Sequence, residues 1–172
     1  MGAFAFLFSE IVQYSQTRVS NVSELERKLA DVGFDVGVRM LELLVHREKA
    51  GKRENRILGI LSFLHTNVWK NLFGKTADSL ERGTSVSTLC PPPFFILEVP
   101  LASRTLTQDW TLPYLLSSSS QTQADDEYMI SDHDLLVNRF ISVPRDMGHL
   151  NCGAFAAGIV EGVLKSSGFP AR

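Results

Sequence analysis

Apolar residues recur at steps of three and four along the first part of the chain, which predicts three amphipathic helices. The stripe of the first, over residues 3–20, includes Phe4, Phe8 and Ile11. The second, from residue 23 to about 46, carries Leu25 and Leu29. After a charged, glycine-containing turn, the third covers residues 54–74 and is apolar on more than one side, so it should be widely buried.

The second helix contains two more specific signals. Ser23 followed by Glu26 forms a capping-box pattern, in which each side chain binds an amide of the first turn. Gly33 and Gly37 lie one turn apart, although glycine costs up to about 1 kcal/mol inside a helix. We interpret this pair as a place where another backbone approaches closely.

Residues 84–124 differ in composition from the rest of the chain. They contain only three charged residues (Glu98, Arg104 and Asp109) and five of the seven prolines. A strand is possible at residues 94–99, but no periodicity extends through the segment, and long structureless stretches are uncommon within a core. We therefore predict a single domain over residues 1–172, interrupted by a mostly disordered Pro- and Ser-rich insertion at 84–124.

Regular structure is predicted again after the insertion. Residues 128–131 and 135–143 are rich in β-forming residues on either side of a turn, which predicts an antiparallel hairpin. A last helix begins at Asn151, where Ala154, Gly158 and Gly162 form a ridge of small residues. The predicted fold class is α/β, more specifically α+β, with a helical layer on a twisted antiparallel sheet. Two strands are too few for a stable open sheet, so we expect the sheet to be incomplete at the C-terminus.

Composition and charge exclude several functional classes. The chain has a net charge of -2, a pI near 6.1 and 44% hydrophobic residues. Without a basic excess, a nucleic-acid partner is not expected. No apolar run is long enough to span a bilayer, and the first residues make a poor signal peptide because they lack a basic region.

The residues capable of chemistry form no established catalytic or metal-binding pattern. Cys152, at the start of the last helix, is a candidate thiolate, but a buried packing role is the preferred interpretation. Cys90 precedes three prolines and is interpreted as an exposed loop thiol without a role. Asp132, His133 and Asp134 lie in an acidic turn that we interpret as solvated. We therefore predict no catalytic residue, no cofactor and no metal.

Three separated blocks of sequence resemble a known family. They are residues 3–14, residues 68–81 (VWKNLFGKTADSLE) and residues 138–162, which include NRFISVP and LNCGAFAAGIVEG. They resemble, in the same order, the Bet-three-like small subunits of TRAPP, the transport protein particle. The resemblance covers residues 3–83 and 125–172, whereas residues 84–124 have no counterpart in it and suggest a coding segment that is normally absent. In that family the chain also continues into further strands beyond residues 169–171.

The resemblance implies a noncatalytic core subunit of a vesicle-tethering complex that acts between endoplasmic reticulum and Golgi. It implies partners of the Bet-three type and the sedlin type, and an indirect role in Rab GTPase exchange. The chain would be cytoplasmic, with peripheral membrane association through the complex. We expect the interface on exposed helix faces, with candidates Phe4, Phe8, Ile11, Leu25 and Leu29. Two alternatives remain open: a lipid- or small-ligand-binding module with an apolar channel between helices and sheet, and a thiol enzyme at Cys152.

Overall fold

The computed structural model describes residues 2–48, 54–82, 95–100, 127–139, 141 and 150–169. Helices precede and follow a small sheet within this part of the chain. In chain order the elements are α1 (Gly2–Gln16), α2 (Val22–Glu48), α3 (Ile57–Phe63), a π-helical turn (Leu64–Val68), α4 (Trp69–Phe73), β1 (Ser79–Arg82), β2 (Phe95–Pro100), β3 (Glu127–Asp132), α5 (Leu136–Arg139) and α6 (Gly153–Ser166). The predicted α+β class is confirmed.

The central packing contact joins α2 to α6 across glycine residues on both helices. A Cβ added at Gly33 would overlap the carbonyl oxygen of Phe155, and one added at Gly37 would overlap that of Ile159. A glycine of α6 likewise approaches the backbone of α2, because a Cβ added at Gly158 would overlap the carbonyl oxygen of Ala30. The missing side chains therefore let the two backbones touch, which confirms the interpretation of the glycine pair in the second helix.

The ends of α2 and α6 are held by bonds that differ in part from the predicted ones. The N-cap of α6 is Cys152 rather than the predicted Asn151, whose Oδ1 instead accepts a hydrogen bond of 2.9 Å from the amide of Gly153, the first residue of the helix. The predicted capping box is wrong: Glu24, rather than Glu26, accepts a bond from the backbone before the helix, at Ser20. The Glu26 carboxylate instead accepts the Asn151 amide at 2.9 Å and so connects α2 to the start of α6.

One continuous helical stretch contains α3, the π-helical turn and α4. Extra residues in a π turn rotate the helix faces, and both Val68 and Trp69 on its C-terminal side are fully buried. The stretch ends at Gly74, whose φ of 79° is the left-handed conformation that glycine adopts most easily. This is the predicted end of the third helix.

The sheet has three antiparallel strands in the order β1-β3-β2. The strand at β3 is confirmed, but its predicted hairpin partner is wrong, because residues 136–139 form α5. The neighbours of β3 are β1, which precedes the insertion, and β2, which lies within it. The possible strand at 94–99 therefore corresponds to Phe95–Pro100, which pairs with β3. Its other residues, including Cys90, and those at 142–149 lie outside the described residues.

A single hydrophobic core extends from α1 to α6 and reaches the sheet through β3. The largest fully buried side chains come from every layer of the fold. They are Trp69, Leu25, Leu29, Leu61, Leu64, Ile130, Ile159, Leu164, Val68, Val137, Val160 and Val163. The short helix α5 belongs to this core, since Leu136 and Val137 are buried and α5 contacts α6.

Candidate interaction surface

The surroundings of Cys152 disfavour a reactive thiol. It is buried at the start of α6, and burial, followed by the negative charge of Glu26, raises the pKa of its thiol to about 11. The thiolate, which is the nucleophilic form, is therefore scarce at neutral pH. The predicted packing role is confirmed, and the thiol-enzyme alternative is not supported.

The acidic turn after β3 is partly a buried structural site and only partly solvated. Asp132 is buried, and its carboxylate accepts a hydrogen bond from Trp69 Nε1 at 2.8 Å and pairs with the Lys75 ammonium. Asp134 is exposed, lies 3.8 Å from Arg139 and also donates its amide to Asp132 at 3.1 Å. The interpretation of Asp132 as solvated is wrong, because the fold buries it against Trp69.

A second pair of side chains, Asp78 and His133, connects the loop before β1 to the turn after β3. The Asp78 carboxylate accepts the His133 amide at 2.8 Å and lies 2.8 Å from His133 Nδ1. The hydrogen bond donated by the backbone amide of His133 is the main reason that the pKa of Asp78 lies below its usual value. Trp69, Lys75 and Asp78 all fall in the block 68–81, so this block serves to join α4 to β3. Within the described residues, no group of three His, Cys, Asp or Glu side chains could hold a metal ion.

The five candidate interface residues are not equally exposed. Phe8, Leu25 and Leu29 have 2%, 0% and 0% of their surface accessible, and Phe8 packs edge-on against Phe155 with ring centroids 5.2 Å apart. The expectation that these three lie on exposed faces is wrong, because the chain's own helices cover them. Phe4 and Ile11 are half-buried. That any of the five contacts a partner stays a prediction.

Other large apolar side chains are exposed on the helices. Phe6, Leu7 and Tyr14 lie on α1, with 75%, 62% and 56% of their surface accessible. Leu43 and Val45 near the end of α2, and Leu58 on α3, are also exposed. The stripe of α1 thus continues beyond the part that the core covers, which is typical of a surface that contacts another protein.

An apolar cavity of about 110 Å³ lies beneath α1. Its walls come from four helices and consist of Phe4, Leu7, Phe8, Ile11, Val32, Val36, Leu72, Phe73 and Phe155. Sites for small molecules usually measure about 300–1,000 Å³. The cavity is therefore small for a lipid chain or a cofactor, and it does not favour the ligand-binding alternative.

A wider groove continues from this cavity between α1 and α2. It encloses about 470 Å³ and is lined by Glu10, Ile11, Tyr14, Ser15, Lys28, Asp31 and Val32. Ile11 and Val32 belong to both the cavity and the groove. We call this surface the α1–α2 groove.

No helix among the described residues has the length and apolar character to cross a membrane.

Helices packed on a small antiparallel sheet define the α+β class of the fold, and the outer helices expose large apolar side chains. The sequence model of the family described as "Transport protein particle (TRAPP) component" matches residues 4–172. The chain belongs to this family.

Relatives in distant organisms support the assignment. The chain is 48% identical, over all of its 172 residues and 72% of the relative, to "Trafficking protein particle complex subunit 5" of Dictyostelium discoideum. It is 40% identical to the Homo sapiens protein of the same name, again over the whole chain and 71% of the relative. It is 21% identical to "Trafficking protein particle complex subunit 31" of Saccharomyces cerevisiae, over 99% of the chain and 67% of that protein.

Proposed function

We propose that this chain is a core subunit of the TRAPP vesicle-tethering complex and acts in vesicle transport between endoplasmic reticulum and Golgi. The observation that carries the proposal is the family match over residues 4–172. The names of relatives at 40–48% identity support the same role.

The role is structural rather than catalytic. Cys152, the best candidate nucleophile in the sequence, is buried with a pKa raised to about 11. The exposed features are apolar side chains on α1, α2 and α3, which suit contacts with other proteins. In this proposal, Rab guanine-nucleotide exchange belongs to the assembled complex, and the isolated chain has no exchange activity.

The partners are other TRAPP subunits of the Bet-three type and the sedlin type. Contact with a Rab GTPase is indirect, and the chain reaches the membrane as a peripheral component of the complex. We place it in the cytoplasm, at the endoplasmic reticulum and the cis-Golgi. Phe6, Leu7 and Tyr14 are further candidates for the interface, because all three side chains are exposed on α1.

Co-expression tests this proposal. The chain is produced with the Bet-three-type and sedlin-type subunits of the same organism, and the mass of the purified product is measured by light scattering after gel filtration. We expect a heteromeric complex with equal amounts of the subunits. Phe6→Asp should weaken this complex while the free chain keeps its helicity, because Phe6 is 75% exposed. A chain that elutes alone in every combination contradicts the proposal.

A further inference from the structure

The strand β2 is attached to the rest of the fold through one neighbour. It forms an edge of the sheet and pairs with β3 along its length, from Phe95 opposite Asp132 to Pro100 opposite Glu127. Among the elements that the structure describes, β3 is the only one that β2 contacts extensively. Pro100 closes the strand, and proline within sheets is largely confined to edge strands. Main-chain pairing with β3 is therefore what holds β2 in place.

The position of β3, in contrast, does not depend on β2. Ile130 is fully buried in the core, and the Asp132 carboxylate accepts a hydrogen bond from Trp69 Nε1 at 2.8 Å. The carbonyl oxygen of Ser131 accepts a hydrogen bond from the Asp78 amide at 3.0 Å, and β1 pairs with the other side of β3. These contacts come from the core, from α4 and from the β1 side of the sheet, so β3 keeps its place when β2 leaves.

An edge that is held in this way is a preorganised binding site for an extended peptide. A peptide that pairs with residues 127–132 gains main-chain hydrogen bonds, which supply the affinity when a strand is added to a sheet. Because the edge is already ordered, binding costs less entropy. The opposite edge of the sheet is less suited, since β1 has only four residues and ends in the exposed, charged Glu81 and Arg82.

The register of β2 indicates which sequence pattern fits this edge. Phe95, Leu97 and Val99 stand opposite the three buried residues of β3. Glu98 stands opposite Met129, which is only half-buried. An occupant of the edge should therefore carry apolar residues at alternate positions and tolerate a polar residue between them.

The insertion determines whether this edge is covered. A chain without residues 84–124 keeps β1 and β3 and loses β2. In the chain that contains them, β2 belongs to the same molecule as β3, so its effective concentration at the edge far exceeds that of a dilute separate peptide. The insertion can thus exclude other extended segments without any further contact.

We propose that the edge of β3 beneath β2 is a binding site for an extended peptide segment of a partner protein, with apolar residues at alternate positions, and that β2 blocks this site in cis as an autoinhibitory strand.

The test uses a fluorescent synthetic peptide of residues 94–101 with a lysine tail for solubility. Its affinity is measured by anisotropy for the full chain and for a variant that lacks residues 84–124. We expect the deletion variant to bind the peptide and the full chain to bind it at least about tenfold more weakly, because β2 competes in cis. A peptide with Ile96→Pro and Leu97→Pro should not bind, since proline removes the amide donors of a strand.

A second variant opens the edge without shortening the chain. The same pair of substitutions, I96P/L97P, is made in the full chain, where consecutive amides of a strand point to opposite sides and one of the two must face β3. This variant should bind the unmodified peptide as the deletion variant does. S118P/S119P, which adds two prolines to the insertion outside β2, is the matched control and should bind it as weakly as the full chain.

Each other outcome overturns the inference in a distinct way. If the full chain and the deletion variant bind the peptide equally, β2 does not block the edge. If the deletion variant unfolds cooperatively but binds no peptide, the edge is not a peptide site. If the deletion variant forms a dimer that the peptide does not dissociate, the occupant is a second copy. If neither the deletion variant nor I96P/L97P unfolds cooperatively, β2 is an essential part of the fold. None of these results bears on the proposed function.

Discussion

At the scale of single residues, the glycines between α2 and α6 carry the strongest structural requirement. Gly158→Ala places a methyl group on the backbone carbonyl of Ala30, which cannot move aside as a side chain can. We expect the free energy of unfolding to fall by about 1–3 kcal/mol in urea titrations. Gly59→Ala is the control, because its Cβ would meet only the flexible end of Glu54. Equal effects at both positions would contradict the close packing of α2 and α6.

Asp132 gives a second residue-scale prediction. Its substitution by Ala leaves the buried Trp69 N–H without its acceptor and removes the partner of Lys75. We expect a loss of about 3 kcal/mol in the free energy of unfolding. Asp134→Ala should change it by less than about 1 kcal/mol, because the Asp134–Arg139 pair is exposed and 3.8 Å long. Chemical denaturation of the two variants at pH 7 separates these outcomes.

The pairing of Asp78 with His133 predicts a specific acid dependence. The folded-state pKa of Asp78 is lowered from 3.8, so its ionised form is favoured in the folded protein. This stabilisation is fully present above the unfolded-state pKa and is lost as the pH falls through the folded-state value. Asp78→Asn should therefore flatten the decline in stability below about pH 4. The midpoints of urea unfolding, measured from pH 2.5 to 7, test this. If they decline with acid in Asp78→Asn as steeply as in wild type, the ionised Asp78 does not stabilise the fold.

Cys152 offers a chemical test of burial. With its pKa at about 11, the thiol should react with iodoacetamide far more slowly in the folded chain than in urea at pH 7.5. Mass spectrometry of the modified peptide measures both rates, and the denatured chain is its own control. Equal rates at Cys152 would show that the start of α6 is open.

At the scale of elements, long periodic helices were predictable and the sheet was not. The stripes of α1, α2 and α6 identify these helices because their spacing is local in sequence. Both neighbours of β3 are distant from it in sequence, because β1 precedes the insertion and β2 lies within it. Only the folded chain reveals such distant pairing. The β-forming residues at 136–139 become α5, since burial of Leu136 and Val137 against α6 outweighs local propensity.

The interface candidates show the same limit of sequence patterns. A stripe identifies an apolar face but does not reveal what covers it. Leu25 and Leu29 are covered by the chain itself, whereas Leu7 and Tyr14 on the neighbouring helix are exposed. The α1–α2 groove depends on the way two helices meet, and no spacing within either helix predicts it.

The insertion is predicted to be dispensable for folding. Arg82 at the end of β1 pairs with Tyr128 in β3. Removal of residues 84–124 leaves residues 83 and 125–127 as a four-residue loop between them, a length that suits an antiparallel hairpin. The shorter loop favours folding by about 2 kcal/mol, which offsets the lost pairing of β2. We expect unchanged helicity and cooperative thermal unfolding in the deletion variant, while loss of cooperativity would show that β2 is essential.

At the scale of the whole molecule, the fold presents a well-packed core and an outer helix whose apolar stripe is only half covered. Phe8 and Val12 of α1 belong to the core, but Phe6, Leu7 and Tyr14 remain at the surface. This arrangement suits a subunit that gains additional burial in an assembly. The family assignment and the surface therefore support the same account, that of a protein whose function is to hold others together.

The most direct test of this account is the composition of the native assembly. The chain is tagged at its own locus, isolated under mild conditions and analysed by native mass spectrometry with identification of each subunit. The account predicts one discrete complex that contains this chain together with the other TRAPP subunits in fixed stoichiometry. Recovery of the chain as a monomer, or in an assembly without TRAPP subunits, would contradict it.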